Sequence, residues 1–286
     1  MSIRPRRSVL FIPGSNKQAM EQARDLPADC VVFDLEDPVA PDKKSLARDQ
    51  IDQILKEGGY GDRELLVRIN ALSTEWGEGD LARFAGADIA GLVVPKISDA
   101  QDVLDVEAAL TSIAKDSPLK IWTMIETAAS IFNIAAIAGA SDKMACMVMG
   151  ISDLAKETRV RHTPGREGFQ AAFNLCVYAA RVHGLDAIDG VHFQLDDEAA
   201  LRLSCEQGRN LGFDGKSLIH APQLETINQA FAPGEAELER SHRIIEAWQA
   251  AEKVGEALVI VDGRLVERLH VEEARRILEL DAAIRR

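Results

Sequence analysis

Basic charge is in short supply in this chain. Its 33 Lys and Arg face 46 Asp and Glu, a formal net charge of −13. That balance argues against non-specific binding to nucleic acid or to an anionic membrane, both of which need basic surface. An anionic ligand would have to be caught by a local basic cluster working against the overall field. Long apolar runs are also missing. No stretch approaches the roughly 20 apolar residues of a membrane span, and none long enough for a secretory signal follows Arg4, Arg6 and Arg7. The four cysteines, Cys30, Cys146, Cys176 and Cys205, show no metal-type spacing, and three lie in apolar settings. Reduced thiols in a cytoplasmic protein are the expectation. Neither an internal repeat nor a low-complexity segment is present. With 47% hydrophobic and 28% charged residues, the remaining composition is that of a soluble globular enzyme. Its 286 residues suffice for one large α/β domain, or for two smaller ones.

The chain does contain a series of short apolar runs that end on polar residues. Lys120 to Glu126 (KIWTMIE) reads as a buried strand closing on a carboxylate. Met144 to Gly150 is another, running into Ile151-Ser152-Asp153. One helix fits between them. Further strands are expected at Ser8–Ile12, Cys30–Phe33, Leu65–Ile69, Gly91–Val94, Asp186–Val191 and Phe213–Ile219. Helices are expected after Pro13-Gly14-Ser15 through about Arg24, after Pro41-Asp42-Lys43, over about 99–114 and from Phe169 to His183. Eight strands alternating with helices predict a (β/α)8 barrel, with a doubly wound sheet as runner-up. The polar residues favour the barrel. Ser15, Asp34, Glu36, Asp37, Arg68, Lys96, Glu126, Asp153, Asp189 and His220 all fall at or near the C-terminal ends of strands. In such barrels that face carries the active site. The barrel is expected over residues 1–231. Residues 232–286 form a C-terminal extension: a helix over about Glu235–Glu252, a hairpin turning on Asp262-Gly263, and a helix over about Val271–Arg285. This extension could fold onto its own barrel or reach a neighbouring subunit.

An unpaired buried acid is expensive, so Glu126 needs a partner. Glu126 and Asp153 on adjacent strand ends suit a hard cation such as Mg²⁺, although Asp153 could simply cap a helix. Arg68, inside an apolar strand, is either paired with Asp34 or Glu36 or clamps a substrate carboxylate. Asp34, Glu36 and Asp37 are too dense for packing alone, and suit orienting Arg68, holding metal-bound water or moving protons. Lys96 suits a salt bridge to these acids better than a Schiff base. His220 reads as structural, and Asp262 as a turn former.

The segments RSVLFIPGS (7–15), VVFDLEDPVAPDKK (31–44), VRINAL (67–72), GLVVPK (91–96), MIET (124–127), GISDLAKE (150–157), LDAIDGV (185–191), GFDGKSLIH (212–220) and VDGRLVERLH (261–270) together resemble the citrate lyase β-subunit/malyl-CoA lyase family, within the HpcH/HpaI aldolase superfamily. The resemblance spans nearly the whole chain. It implies a (β/α)8 barrel, a homotrimer or hexamer, and Mg²⁺ held by Glu126 and Asp153. It implies that Arg68 holds the carboxylate of the 2-keto acid fragment and that Phe11 lies near the coenzyme A chain, with Lys17 as the nearby basic residue. Asp262 becomes a catalytic acid/base supplied by an adjacent subunit, and Glu36, Asp37 or a metal-bound water become candidates for the base that takes the hydroxyl proton. The implied reaction is Mg²⁺-dependent cleavage, or formation, of malyl-CoA, citramalyl-CoA or citryl-CoA, giving acyl-CoA and a 2-keto acid. The alternatives are a (3S)-malyl-CoA thioesterase on the same scaffold, a non-catalytic subunit of a lyase complex, or a metal-dependent aldolase using free keto acids. Thr127-Ala128-Ala129-Ser130, His220-Ala221-Pro222-Gln223 and Asn16 depart from the family pattern. They leave the metal pair intact and bear on acyl-chain specificity and coenzyme A contacts.

Overall fold

The computed structural model describes residues 3–253, 255 and 258–285. Eight strands form where the apolar runs predict them: β1 Ser8–Pro13, β2 Cys30–Asp34, β3 Glu64–Arg68, β4 Gly91–Val94, β5 Lys120–Ile125, β6 Met144–Met149, β7 Asp186–Asp189 and β8 Gly215–Leu218. Each pairs in parallel with the next, and β8 returns to β1 through Ser8–Lys216, Val9–Ser217 and Leu10–Leu218. That last pairing closes the barrel and excludes the doubly wound sheet. β7 and β8 are shorter than expected, because Gly190-Val191 and Phe213-Asp214 lie outside the ladder.

Successive strand residues point to opposite faces of a sheet. Val9 and Phe11, Cys30 and Val32, Leu66, Val93, Trp122 and Met124, Cys146 and Val148, and Ile188 pack into one cluster, drawn from seven strands at a spacing of two. They fill the barrel interior, which is a packed core and not a channel. The end at which the strands begin is tied by charge. The Arg6 guanidinium donates to both carboxylate oxygens of Glu64 at 2.7 Å and to Asp186 at 2.7 Å, and stacks 4.7 Å from the Trp122 ring. These contacts join the approach to β1 with the first residues of β3 and β7.

The four cysteines are buried, and none is in a disulfide. Helices Lys44–Glu57, Ala100–Ile113, Gln170–His183 and Glu198–Leu211 are four turns each and bury one apolar stripe. Among the described residues no helix is long and apolar enough to cross a membrane.

The chain divides into two compact units, one of Arg6–Ala230 and one of the segment from Phe231 onward together with the residues that precede Arg6. The barrel belongs to the unit Arg6–Ala230. The other unit contains helix Glu235–Lys253, a hairpin of β9 Val259–Val261 and β10 Arg264–Val266, and helix Arg268–Ile284. Ile244, Trp248, Val261, Val266, Val271 and Ala274 form its core. Asp262 and Gly263 make the hairpin turn with φ of +50° and +72°, the backbone a tight Asp-Gly turn requires.

Candidate active site

The spacing that fills the barrel with apolar side chains also builds its mouth. Continuing Cys30 and Val32 by two residues gives Asp34; Leu66 leads to Arg68; Trp122 and Met124 lead to Glu126. The next inward layer is therefore charged. Arg68 is at its centre. Its Nε and Nη2 donate to the two oxygens of Asp34 at 2.8 and 2.5 Å, and Nη1 lies 3.0 Å from Glu36 Oε2. Phe11 lies beneath it, with the guanidinium 5.1 Å from the ring centre. Burial alone would lower the Arg68 pKa, but Asp34 and Glu36 outweigh it and hold the group above its ordinary value. The ion pair weighed from the sequence is thus formed.

Glu126 follows β5 directly and is 1% exposed. Its Oε1 accepts the backbone N–H of Lys96 at 2.8 Å. Burial pushes its carboxyl upward, against the pull of Lys96. Asp153 sits in the first turn of helix Ile151–Thr158, where the helix dipole favours negative charge. Gly150, not Asp153, is the N-cap, so the carboxylate is free to leave the helix end. It meets Lys96: Nζ to Asp153 Oδ2 is 2.7 Å. The same ammonium lies 3.4 Å from Glu126 Oε1, 3.5 Å from Glu36 Oε1 and 3.7 Å from Asp37 Oδ2. Four carboxylates therefore converge on one cation. Lys96 makes the salt bridges its position suggested, and they hold its pKa above the usual lysine value despite burial.

Glu36 is 6% exposed and is pushed up to about 7, chiefly by burial, with Glu126 adding to the rise and Arg68 and Lys96 opposing it. The loop that carries it is fixed by a residue the sequence did not single out. Lys44 is buried and donates to Leu35 O, Glu36 O and Asn70 Oδ1 at 2.7, 2.8 and 2.7 Å. Asn70 in turn donates to Leu35 O and to Asp80. A lysine in the first turn of a helix reads as surface, and only the fold shows its three carbonyl-type partners.

Asp189 does not join the mouth. It lies on the face of β7 opposite the interior residue Ile188 and is paired with Lys216 at 2.7 Å and with Arg166 at 2.7 and 2.8 Å. Arg166 also donates to Gln207 and to Ser204 O, so the group is seated against helix Glu198–Leu211. Counting parity from Ile188 would have separated Asp189 from the active face. Lys17, at the start of helix Lys17–Gln22, is half-buried and lies 3.8 Å from Glu21. His220 is half-buried before a turn, its carbonyl accepting the Gln223 N–H. In the C-terminal unit, Asp262 Oδ2 accepts from Arg243 Nη2 at 2.9 Å.

The HpcH/HpaI aldolase/citrate lyase family profile matches residues 7–221. The chain is 46% identical over 280 residues to a (3S)-malyl-CoA thioesterase of Cereibacter sphaeroides, covering 98% of this chain and 96% of the relative. It is 35% identical over 284 residues to the citrate lyase subunit beta of Escherichia coli, covering 96% and 93%. Among solved structures it is similar to the CitE protein of Mycobacterium tuberculosis in complex with magnesium, acetoacetate and coenzyme A, with TM-score 0.77, 25% identity and coverage of 96% and 97%.

Proposed function

The chain belongs to the HpcH/HpaI aldolase/citrate lyase family, and from that premise we propose that it is a metal-dependent (3S)-malyl-CoA thioesterase. The observation that carries this reading is the 46% identity, over nearly the full length of both chains, to relatives named for that hydrolysis. Hydrolysis thereby displaces carbon–carbon cleavage as the leading reading, since the lyase name belongs to relatives near 35% identity. Cleavage stays as the second reading because the same charged mouth would serve it.

The residues fit a hard divalent cation. Glu126 and Asp153 offer carboxylate oxygens, and an ammonium already faces both, so this is a place where positive charge is held. Acids outnumber bases there: Asp34, Glu36, Asp37, Glu126 and Asp153 against Arg68 and Lys96. The solved relative bound with magnesium supports Mg²⁺ as that cation. When bound, Mg²⁺ would polarise a carbonyl oxygen and anchor substrate oxygens.

The chain's own groups do the rest. Arg68, held over Phe11 by Asp34, offers a fixed positive charge to a substrate carboxylate. Glu36, with a pKa near neutrality, takes the proton of an attacking water. Water adds to the thioester carbonyl, the carbon–sulfur bond breaks, and Glu36 returns the proton to the departing thiolate, leaving malate and free coenzyme A. Asp37 is exposed at the rim beside Lys96 and steadies the water's approach. Lys17, half-buried on the helix that follows β1, suits the phosphates of coenzyme A. The C-terminal unit packs on a neighbouring subunit in a homotrimer or hexamer and delivers Asp262 as a further acid/base. This is supported by Ile260 and Leu265, register partners that are 75% and 55% exposed on one face of the hairpin.

A product assay tests the reading. The purified protein is incubated with (3S)-malyl-CoA, citramalyl-CoA and citryl-CoA, with Mg²⁺ or EDTA, and free thiol and keto acid are followed separately. Free thiol without keto acid, only with Mg²⁺, is expected. Keto acid without free thiol would move the assignment to the lyase.

A further inference from the structure

Lys96 is built into the acidic mouth twice over. Its φ of +56° is a left-handed backbone conformation that is costly for a non-glycine residue. That conformation accompanies the N–H bond to Glu126 Oε1. The side chain then comes back over the same carboxylate and ends on Asp153. Glu126 and Asp153 are also the pair that fits a divalent cation. Any cation that takes their oxygens must share them with an ammonium 2.7 Å from one and 3.4 Å from the other. Two positive charges in one shell of oxygens repel strongly in a half-buried site. The lysine has somewhere to go, because Glu36 and Asp37 already lie 3.5 and 3.7 Å from its nitrogen.

We propose that Lys96 is a tethered competitor of the divalent cation: its ammonium holds Glu126 and Asp153 until the cation displaces it toward Glu36 and Asp37, and so sets how tightly the metal binds. The proposal rests on the reading of Glu126 and Asp153 as metal ligands. It concerns a residue that holds and releases ligands and need not touch substrate.

Calorimetric titration of Mg²⁺ into the full-length protein distinguishes the two layers. Lys96→Met is expected to bind Mg²⁺ at least about tenfold more tightly than the wild type, and Glu126→Gln to lose binding, as removal of a competing charge and of a ligand require. Equal or weaker binding by Lys96→Met, with Glu126→Gln still defective, overturns the competition and leaves the metal ligands standing. No Mg²⁺ uptake by the wild type or by Lys96→Met overturns both. A second measurement needs no variant. Acylation of the wild-type protein by an amine-reactive ester, followed at Lys96 by peptide mass spectrometry, is expected to run several-fold faster with Mg²⁺ than with EDTA. A rate at Lys96 that Mg²⁺ leaves unchanged or lowers overturns the displacement.

Discussion

A Cβ placed on Gly150 would stand 2.5 Å from both the Cβ and the Oε2 of Glu126. The glycine ends β6 and donates its N–H to Ile125 O at 3.0 Å, so the two strand ends are locked side by side while the acid fills the space a side chain would need. Gly150→Ala should therefore push Glu126 out of place. The expected cost is about 1–3 kcal/mol of stability, typical of overpacking, together with loss of Mg²⁺ uptake. Thermal melting and calorimetry on the same sample check both, and a variant that binds Mg²⁺ normally would show that the contact is relieved by a harmless shift.

Lys44 should matter to the site without facing it. Lys44→Met removes three hydrogen bonds from a buried ammonium; Leu35 O keeps the Asn70 Nδ2 bond and Glu36 O the Val39 N–H, but Asn70 Oδ1 loses the lysine as donor. The expected loss is about 2–4 kcal/mol, since bonds to charged donors are the strong ones and a buried acceptor that loses its donor is costly. Urea unfolding measures it. Activity should fall as well, because the loop that positions Glu36 loses its anchor, and Lys44→Arg should not restore it.

The pH dependence of activity should carry the signature of Glu36. Burial raises its pKa to about 7, so the carboxylate form needed by a base is lost as the pH falls through the neutral region. The rate should rise with pH along a limb centred at or below 7, since a bound cation pulls the value down. Glu36→Gln should lower the rate by about two to four orders of magnitude and remove that limb. Retention of the limb in Glu36→Gln would assign the base elsewhere.

Stability in acid should depend on Asp189. Burial would raise its pKa, but Lys216 and Arg166 outweigh it and depress the value below the ordinary 3.8. A depressed acid stabilises the fold fully above its unfolded value and loses that contribution as pH falls through the folded one. Asp189→Asn should cost about 3–5 kcal/mol at pH 7, because it leaves two buried cations without their counter-charge. The gap between variant and wild type in urea unfolding should narrow below about pH 3.8. A gap that does not change with pH would mean that shape, and not charge, holds this group.

The barrel was legible because each strand is a compact apolar run and each run stops on a polar residue. KIWTMI followed by Glu126, and GLVV followed by Pro95-Lys96, mark their own ends. Helix Gly77–Phe84 was not legible: GEGDLARF carries two glycines and a buried aspartate, and its position depends on packing and on the Asp80 bonds to Arg48 and Asn70. Within the site, Glu126 could be paired with Asp153 and Lys96 set against the acids of 34–37, but the meeting of four carboxylates on one ammonium goes with a left-handed residue that nothing in VVPK announces. Phe11 shows a related limit. The resemblance associates it with the coenzyme A chain, whereas its inward position beneath Arg68 follows from spacing with Val9. Asp189 was assigned to the mouth by its place at a strand end, and strand parity would have sent it outward.

The clasp of Arg6 on Glu64 and Asp186 sits at the end where the strands begin, and Trp122, Cys30 and Cys146 fill the space within the strands. The barrel is thus a vessel with a floor. If the chain hydrolyses a coenzyme A thioester as proposed, substrate and both products would share the doorway at the rim where Asp37 and Lys96 stand, and a thiol as bulky as coenzyme A would have no rear exit. Its departure, more than the chemistry within, would set the pace of each cycle, and added thiol should compete directly with incoming thioester.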